Sequence, residues 1–116
     1  MARPSREDND TGVVLQERDE RRVKRPRMYR VLLHNDDYTP MDFVVRLLQE
    51  VFRRGESDST AIMYHVHNNG VGVAGVYTYE VAETKVAQVH LLARKNEHPL
   101  MASMEPEDED DEDAEH

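Results

Sequence analysis

Apolar and polar residues alternate from Met28 to His34. Tyr29, Val31 and Leu33 fall on one face, with Met28, Arg30, Leu32 and His34 on the other, a period that predicts a half-buried strand. Asn35-Asp36-Asp37 then forms a turn-prone cluster. The period changes after Thr39. Phe43, Val44, Leu47, Leu48, Val51 and Phe52 recur at i, i+1, i+4, i+5, i+8 and i+9, one wide apolar stripe on a helix. Thr39 reads as its N-cap, with Pro40 at the first helical position, Asp42 in the first turn and Gly55 as a left-handed stop. A second helix is expected from about Ser57 to just before Asn68-Asn69-Gly70. Val71–Thr78 is a short apolar run containing Gly72 and Gly75, which predicts a strand with close backbone packing at its glycines. Thr78 can cap a third helix over about 79–96, striped by Ala82, Val86, Val89 and Ala93. His98-Pro99 ends it, and Leu100–Met104 suits a last short strand.

The predicted order is β-α-α-β-α-β. Three short strands cannot cover both faces of their own sheet, so the helices must pack together on one side. The expected fold is α+β, a two-layer α/β sandwich with a small three-stranded, mostly antiparallel sheet. At 116 residues the chain suffices for one domain.

Charge refines the boundaries. Residues 107–116 hold eight acids and neither Lys nor Arg, and removing them takes the formal net charge from −9 to −1. Such a block repels itself and buries nothing, so it reads as a disordered acidic tail. Residues 1–25 carry seven basic and six acidic side chains around a single apolar run, Val13-Val14-Leu15, and read as a flexible extension. The domain is therefore expected at 26–106. The acidic balance argues against nucleic acid as a partner. No run approaches the roughly 18 apolar residues of a membrane span, and no secretory signal opens the chain. A cytoplasmic monomer is the expectation. With no cysteine in the chain, no disulfide, thiolate nucleophile or Cys-bearing zinc site is available.

Chemistry-bearing groups are few. His65 and His67 stand two apart on a predicted helix, where each residue turns by about 100°, so they diverge and cannot grip one metal ion. Asp36-Asp37 could serve acid–base or metal chemistry, but adjacent acids in a turn are ordinarily caps. No nucleophile motif or phosphate-binding glycine loop is present. The reading is a non-enzyme with no metal and no cofactor. The second helix says more: Met63, Val66 and His67 share one face. Were the acidic turn nearby, it and His67 would form a polar rim beside an apolar hollow.

The run Tyr29–Val44, with Asn-Asp-Asp-Tyr-Thr-Pro-Met at its centre, resembles the ClpS family of protease adaptors. Thr78–Ala87 and Glu97-His98-Pro99-Leu100 are similar to it as well. The resemblance spans about residues 27–104. It implies an adaptor that binds proteins with a bulky N-terminal residue (Leu, Phe, Tyr or Trp). The adaptor hands them to a ClpA-type AAA+ unfoldase for degradation by ClpP. By position it implies that Asn35, Asp36, Asp37 and His67 hold the ligand's α-amino group. Thr39, Met41, Val44, Met63, Val66 and Leu100 would line its side-chain pocket, and Glu80 and Lys85 would face the unfoldase. Two rivals stand beside this reading. One is an interaction domain that docks on an unfoldase without reading N-termini; the other is a metal-dependent hydrolase using Asp36, Asp37 and His67.

Overall fold

The computed structural model describes residues 25–107. The extension and the tail read from the sequence lie almost wholly outside them. The elements run β1 (Met28–His34), α1 (Met41–Phe52), α2 (Glu56–Asn69), β2 (Val71–Thr78), α3 (Tyr79–Lys95) and β3 (Met101–Pro106). The sheet order is β2-β1-β3, with both pairings antiparallel. The α+β sandwich is as expected.

The alternation in β1 sends Val31 and Leu33 into the core, each fully buried. They meet the stripe of α1, whose six apolar positions are all buried. α3 crosses the sheet against all three strands, α2 packs on β2, and α1 lies against both α2 and α3. Ala82, Val89 and Ala93 of α3 are buried, with Val86 at the margin. The small side chains let the helix sit close to the sheet.

β2 breaks strict alternation. Val31 faces Gly75 and Leu32 faces Val73, so Ala74 bulges out of the ladder. Two successive residues, Ala74 and Gly75, then point inward. The Ala74 carbonyl accepts a hydrogen bond from Arg54 Nε at 2.9 Å. The expected close approach at Gly72 is real: a Cβ there would stand 2.7 Å from Val66 Cγ2 of α2.

Helix ends differ from the sequence expectation. Pro40, not Thr39, is the N-cap residue of α1, because the Thr39 hydroxyl is engaged by Asp36. Gly55 is not left-handed: it has φ −70° and opens α2, where its carbonyl accepts the Ser59 N–H at 2.9 Å. Arg53 takes the left-handed position, φ 55°, because α1 ends at Phe52 once its stripe is complete. α2 runs through Asn68 and Asn69, since the Asn69 side-chain amide donates to the His65 carbonyl at 3.0 Å and satisfies the last turn. Gly70, φ 90°, then stops it. β3 starts one residue late, leaving Leu100 buried ahead of it.

Candidate functional site

Three elements meet at one end of the sheet. β1 finishes at His34, opposite Val71 of β2. The next residue, Asn35, donates its backbone N–H to the Gly70 carbonyl at 2.9 Å. The left-handed glycine that ends α2 thereby ties the acidic turn to that helix, and His67 lies one turn earlier on it. Asn35, Asp36, Asp37, Thr39, Met41, Val44, Met63, Val66 and His67 line a single open hollow of about 260 Å³. Nine of the ten residues expected to hold a ligand thus converge. The tenth, Leu100, is not among the lining residues. It is buried in the core and borders a separate hollow with His90, Ala93, Arg94, His98, Pro99 and Met101.

The rim and the floor differ in character. Val44, Met63 and Val66 are buried apolar side chains. They come from α1 and α2, which pack directly on each other within the one core. Met41, at the start of α1, is 39% exposed and stands at the mouth. Asn35, Asp37 and His67 are exposed around it.

The two aspartates do different work. Asp36 Oδ1 accepts the backbone N–H groups of Tyr38 and Thr39, each at 2.8 Å, and its Oδ2 accepts the Thr39 hydroxyl at 2.8 Å. Partial burial pushes its carboxyl pKa up. The Thr39 hydroxyl, the two N–H donors and the charge of His98 outweigh that, and the pKa lies below the usual carboxylate value. Asp36 is spent holding the turn in shape. Asp37, on the rim, presents the more open carboxylate.

His65 points elsewhere, its Nδ1 3.2 Å from the Asn69 amide, so the two histidines do diverge. Among the described residues no group of three or more His, Asp or Glu side chains is arranged to hold a metal ion. No helix among them is long and apolar enough to cross a membrane. His98, a helix breaker and part of the family-like Glu97-His98-Pro99-Leu100 run, was not among the expected ligand residues. Its ring meets Phe43 edge-on, centroids 4.5 Å apart, and its charge reaches Asp36. No spacing signal marks it, since it comes from α3's far end to sit behind the turn.

Glu80 and Lys85 sit apart from the hollow. Glu80 is exposed in the first turn of α3, beside a shallow depression that includes Arg27, Tyr29 and Tyr79. Lys85 Nζ donates to the Val51 carbonyl at 2.7 Å and lies 5.6 Å above the Tyr77 ring. Five residues apart, the two are rotated by about 140° on the helix. Lys85 therefore also closes the C-terminal end of α1.

Comparison with known proteins decides the family. The model of the family described as ATP-dependent Clp protease adaptor protein ClpS matches residues 24–103. The chain belongs to the ClpS family. Among curated relatives, the ATP-dependent Clp protease adapter protein ClpS of Myxococcus xanthus is 54% identical over 87% of this chain and 94% of its own. The ClpS of Hyphomonas neptunium is 58% identical over 88% of this chain and 86% of its own. Among solved structures, Agrobacterium tumefaciens ClpS2 bound to L-phenylalaninamide superposes with a TM-score of 0.69 at 41% identity. That match covers 72% of this chain and all of the other. The chain is thus of the Clp protease adaptor type, and its fold is that of a ClpS structure.

Proposed function

We propose that this ClpS-family chain is a non-enzymatic adaptor of the cytoplasm, acting as a monomer. It binds the N-terminus of proteins beginning with Leu, Phe, Tyr or Trp and delivers them to a ClpA-type unfoldase for degradation by ClpP. The observation that carries this reading is the convergence of Asn35, Asp37 and His67 on the rim of a hollow floored by Val44, Met63 and Val66. An α-ammonium has three donors and a free pKa of about 8. An amide oxygen, a carboxylate and a neutral imidazole nitrogen are three acceptors that match it. The similarity to ClpS2 bound to L-phenylalaninamide, a free α-amine beside an aromatic side chain, supports the same assignment. Asp36 frames the turn and Asp37 takes the ammonium. Thr39, through its hydrogen bond to Asp36, keeps the turn beside the pocket wall, and Met41 flanks the entrance. Glu80 and Lys85 of α3 meet the unfoldase.

The size of the hollow suits this use. About 260 Å³ lies below the roughly 300–1,000 Å³ of a pocket for a drug-sized molecule. One side chain with its α-carbon fits. Burying a Leu or Phe side chain contributes about 1.5–3 kcal/mol, and hydrogen bonds to a charged group about 1.5–3 kcal/mol each. Before ordering costs these gross terms sum to about 6–12 kcal/mol, a range that brackets the roughly −8 kcal/mol of a micromolar complex.

Fluorescence anisotropy with Leu-, Phe- and Ala-initiated peptides, each with and without N-acetylation, tests the reading. Free Leu and Phe N-termini should bind; Ala and acetylated peptides should not. His67→Ala should weaken binding about tenfold or more, the loss of one hydrogen bond to a charged partner. His65→Ala, off the hollow, should leave it unchanged. Equal binding of acetylated and free Leu peptides would refute N-terminus reading and favour a docking domain that ignores N-termini.

A further inference from the structure

The second hollow, of about 210 Å³, opens between the end of α3 and the start of β3. Its polar lining is His90, Arg94 and His98, and no acid is among its lining residues. Ala93 and Leu100 are its buried apolar floor, and Met101 stands exposed at its edge. Its polar groups arrive with donors to spare. His90 Nε2 accepts the Ala102 N–H at 3.0 Å. A ring nitrogen that accepts carries no proton, so the ring holds its proton on Nδ1 and Nδ1–H is a donor. That N–H has no partner among the described residues. Arg94 lies in the last turn of α3, yet the helix end is closed without it. The Leu92 carbonyl accepts Asn96 Nδ2 at 2.9 Å, the Ala93 carbonyl the His98 N–H at 2.8 Å and the Arg94 carbonyl the Glu97 N–H at 3.0 Å. Among the described residues the Arg94 guanidinium makes no ion pair, and Glu97 does not line the hollow. The His98 ring is braced edge-on against Phe43. Asp36, the acid that feels its charge, gives its oxygens to Tyr38 and Thr39 instead.

We propose that this hollow binds a peptide carboxylate carried on a short aliphatic chain. Arg94, His90 Nδ1–H and the His98 ring hold the carboxylate, over the floor of Ala93 and Leu100. A guanidinium presents a planar fork that matches the two carboxylate oxygens. An inorganic anion would leave the apolar floor against water, so the floor selects an organic ligand. The volume admits one such group and no drug-sized molecule. A C-terminal carboxylate and a Glu side chain share this chemistry. The hollow has no lining residue in common with the one at Asn35 and His67, so binding here needs no free N-terminus.

NMR titration of the ¹⁵N-labelled full chain with sodium butyrate, against NaCl at equal ionic strength, tests the chemistry. Two N-acetylated peptides then test the source. One has a free C-terminus and no acidic residue; the other has a C-terminal amide and one internal Glu. Butyrate should shift backbone resonances across 90–102 saturably, in the millimolar range, and NaCl should not. At least one peptide should reproduce those shifts, and which one does so identifies the source of the carboxylate. Arg94 is exposed, so Arg94→Gln should fold, and it should weaken binding about tenfold, the loss of a bond between charged groups. Lys95→Gln removes the same charge one residue on, outside the hollow, and should change binding less than about twofold. Four outcomes overturn the proposal: NaCl shifting the same resonances as far (an adventitious ion only), shifts that grow without saturating, Lys95→Gln as costly as Arg94→Gln, or neither peptide reproducing the butyrate shifts.

Discussion

Asp36 is surrounded by donors that prefer its charged form, and this gives a sign to the effect of acid. Its folded pKa is below the ordinary value of about 3.9. A group depressed on folding contributes stability above its unfolded pKa and loses it as pH falls through the folded one. Asp36→Ala should therefore be less stable than the parent at pH 7, and the gap should close as pH is taken well below 3.9. Urea denaturation across pH measures this; a gap as wide at pH 2 as at pH 7 would show that the carboxylate's charge is not its source. Ser59 presents the opposite case. Its Oγ is fully buried within α2 and has no hydrogen-bond partner. A buried unpaired hydroxyl costs about 1–3 kcal/mol, and alanine is the better helix former. Ser59→Ala should raise stability by about 1 kcal/mol in a denaturant titration, and a loss of that size would mean the hydroxyl is bonded after all.

At the scale of elements, the hollow exists because α2 is held close to β2 and its end is tied to the turn after β1. Gly72 permits the first. A Cβ there would press on Val66 Cγ2 at 2.7 Å and on the His65 ring at 3.1 Å. Overpacking of that kind costs about 1–3 kcal/mol. Gly72→Ala should lower stability by that order and, since Val66 lines the hollow, weaken Leu-peptide binding. Gly55→Ala is the control: its φ is −70° and an added Cβ meets nothing within 4 Å, so both readouts should stay put. β1, α1 and α3 were legible from period, because they carry 2- and 3.6-residue patterns that the core then buries; α2, β2 and β3 were read from stop signals, a glycine-bearing apolar run and the break at His98-Pro99. Their ends were not. Whether Thr39 caps a helix or bonds Asp36, and whether Arg53 or Gly55 turns left-handed, depends on partners that a linear pattern does not show. The bulge at Ala74 is equally hidden, being set by the ladder with β1 and by Arg54, twenty residues earlier.

For the whole molecule, the face formed by Met63, Val66 and His67 was readable from helical spacing, but its meeting with the acidic turn was not. That meeting depends on β1 and β2 pairing antiparallel, which brings Gly70 beside Asn35. His98 comes from beyond the far end of α3, and spacing could not bring its charge to Asp36. The family resemblance named ten ligand positions, and the geometry accounts for why nine of them line one hollow, Leu100 being the exception. Charge divides the chain differently. The hollow is built wholly from residues 35–67, and the described fold closes without the first 24 residues. The described residues begin just before β1, and the hollow lies at that strand's other end, about 20 Å away across seven residues. Binding and delivery should therefore separate. A chain beginning at Arg25 should bind Leu peptides with the affinity of the full chain, because no lining residue is lost. The same chain should be poorer at promoting degradation by the unfoldase and peptidase, if the extension serves transfer. Anisotropy titration and a degradation assay on a Leu-initiated substrate read the two halves independently. Lost peptide binding on truncation would place the extension in the site itself; undiminished degradation would confine delivery to the folded residues, with Glu80 and the outer face of α3 as the surface to mutate next.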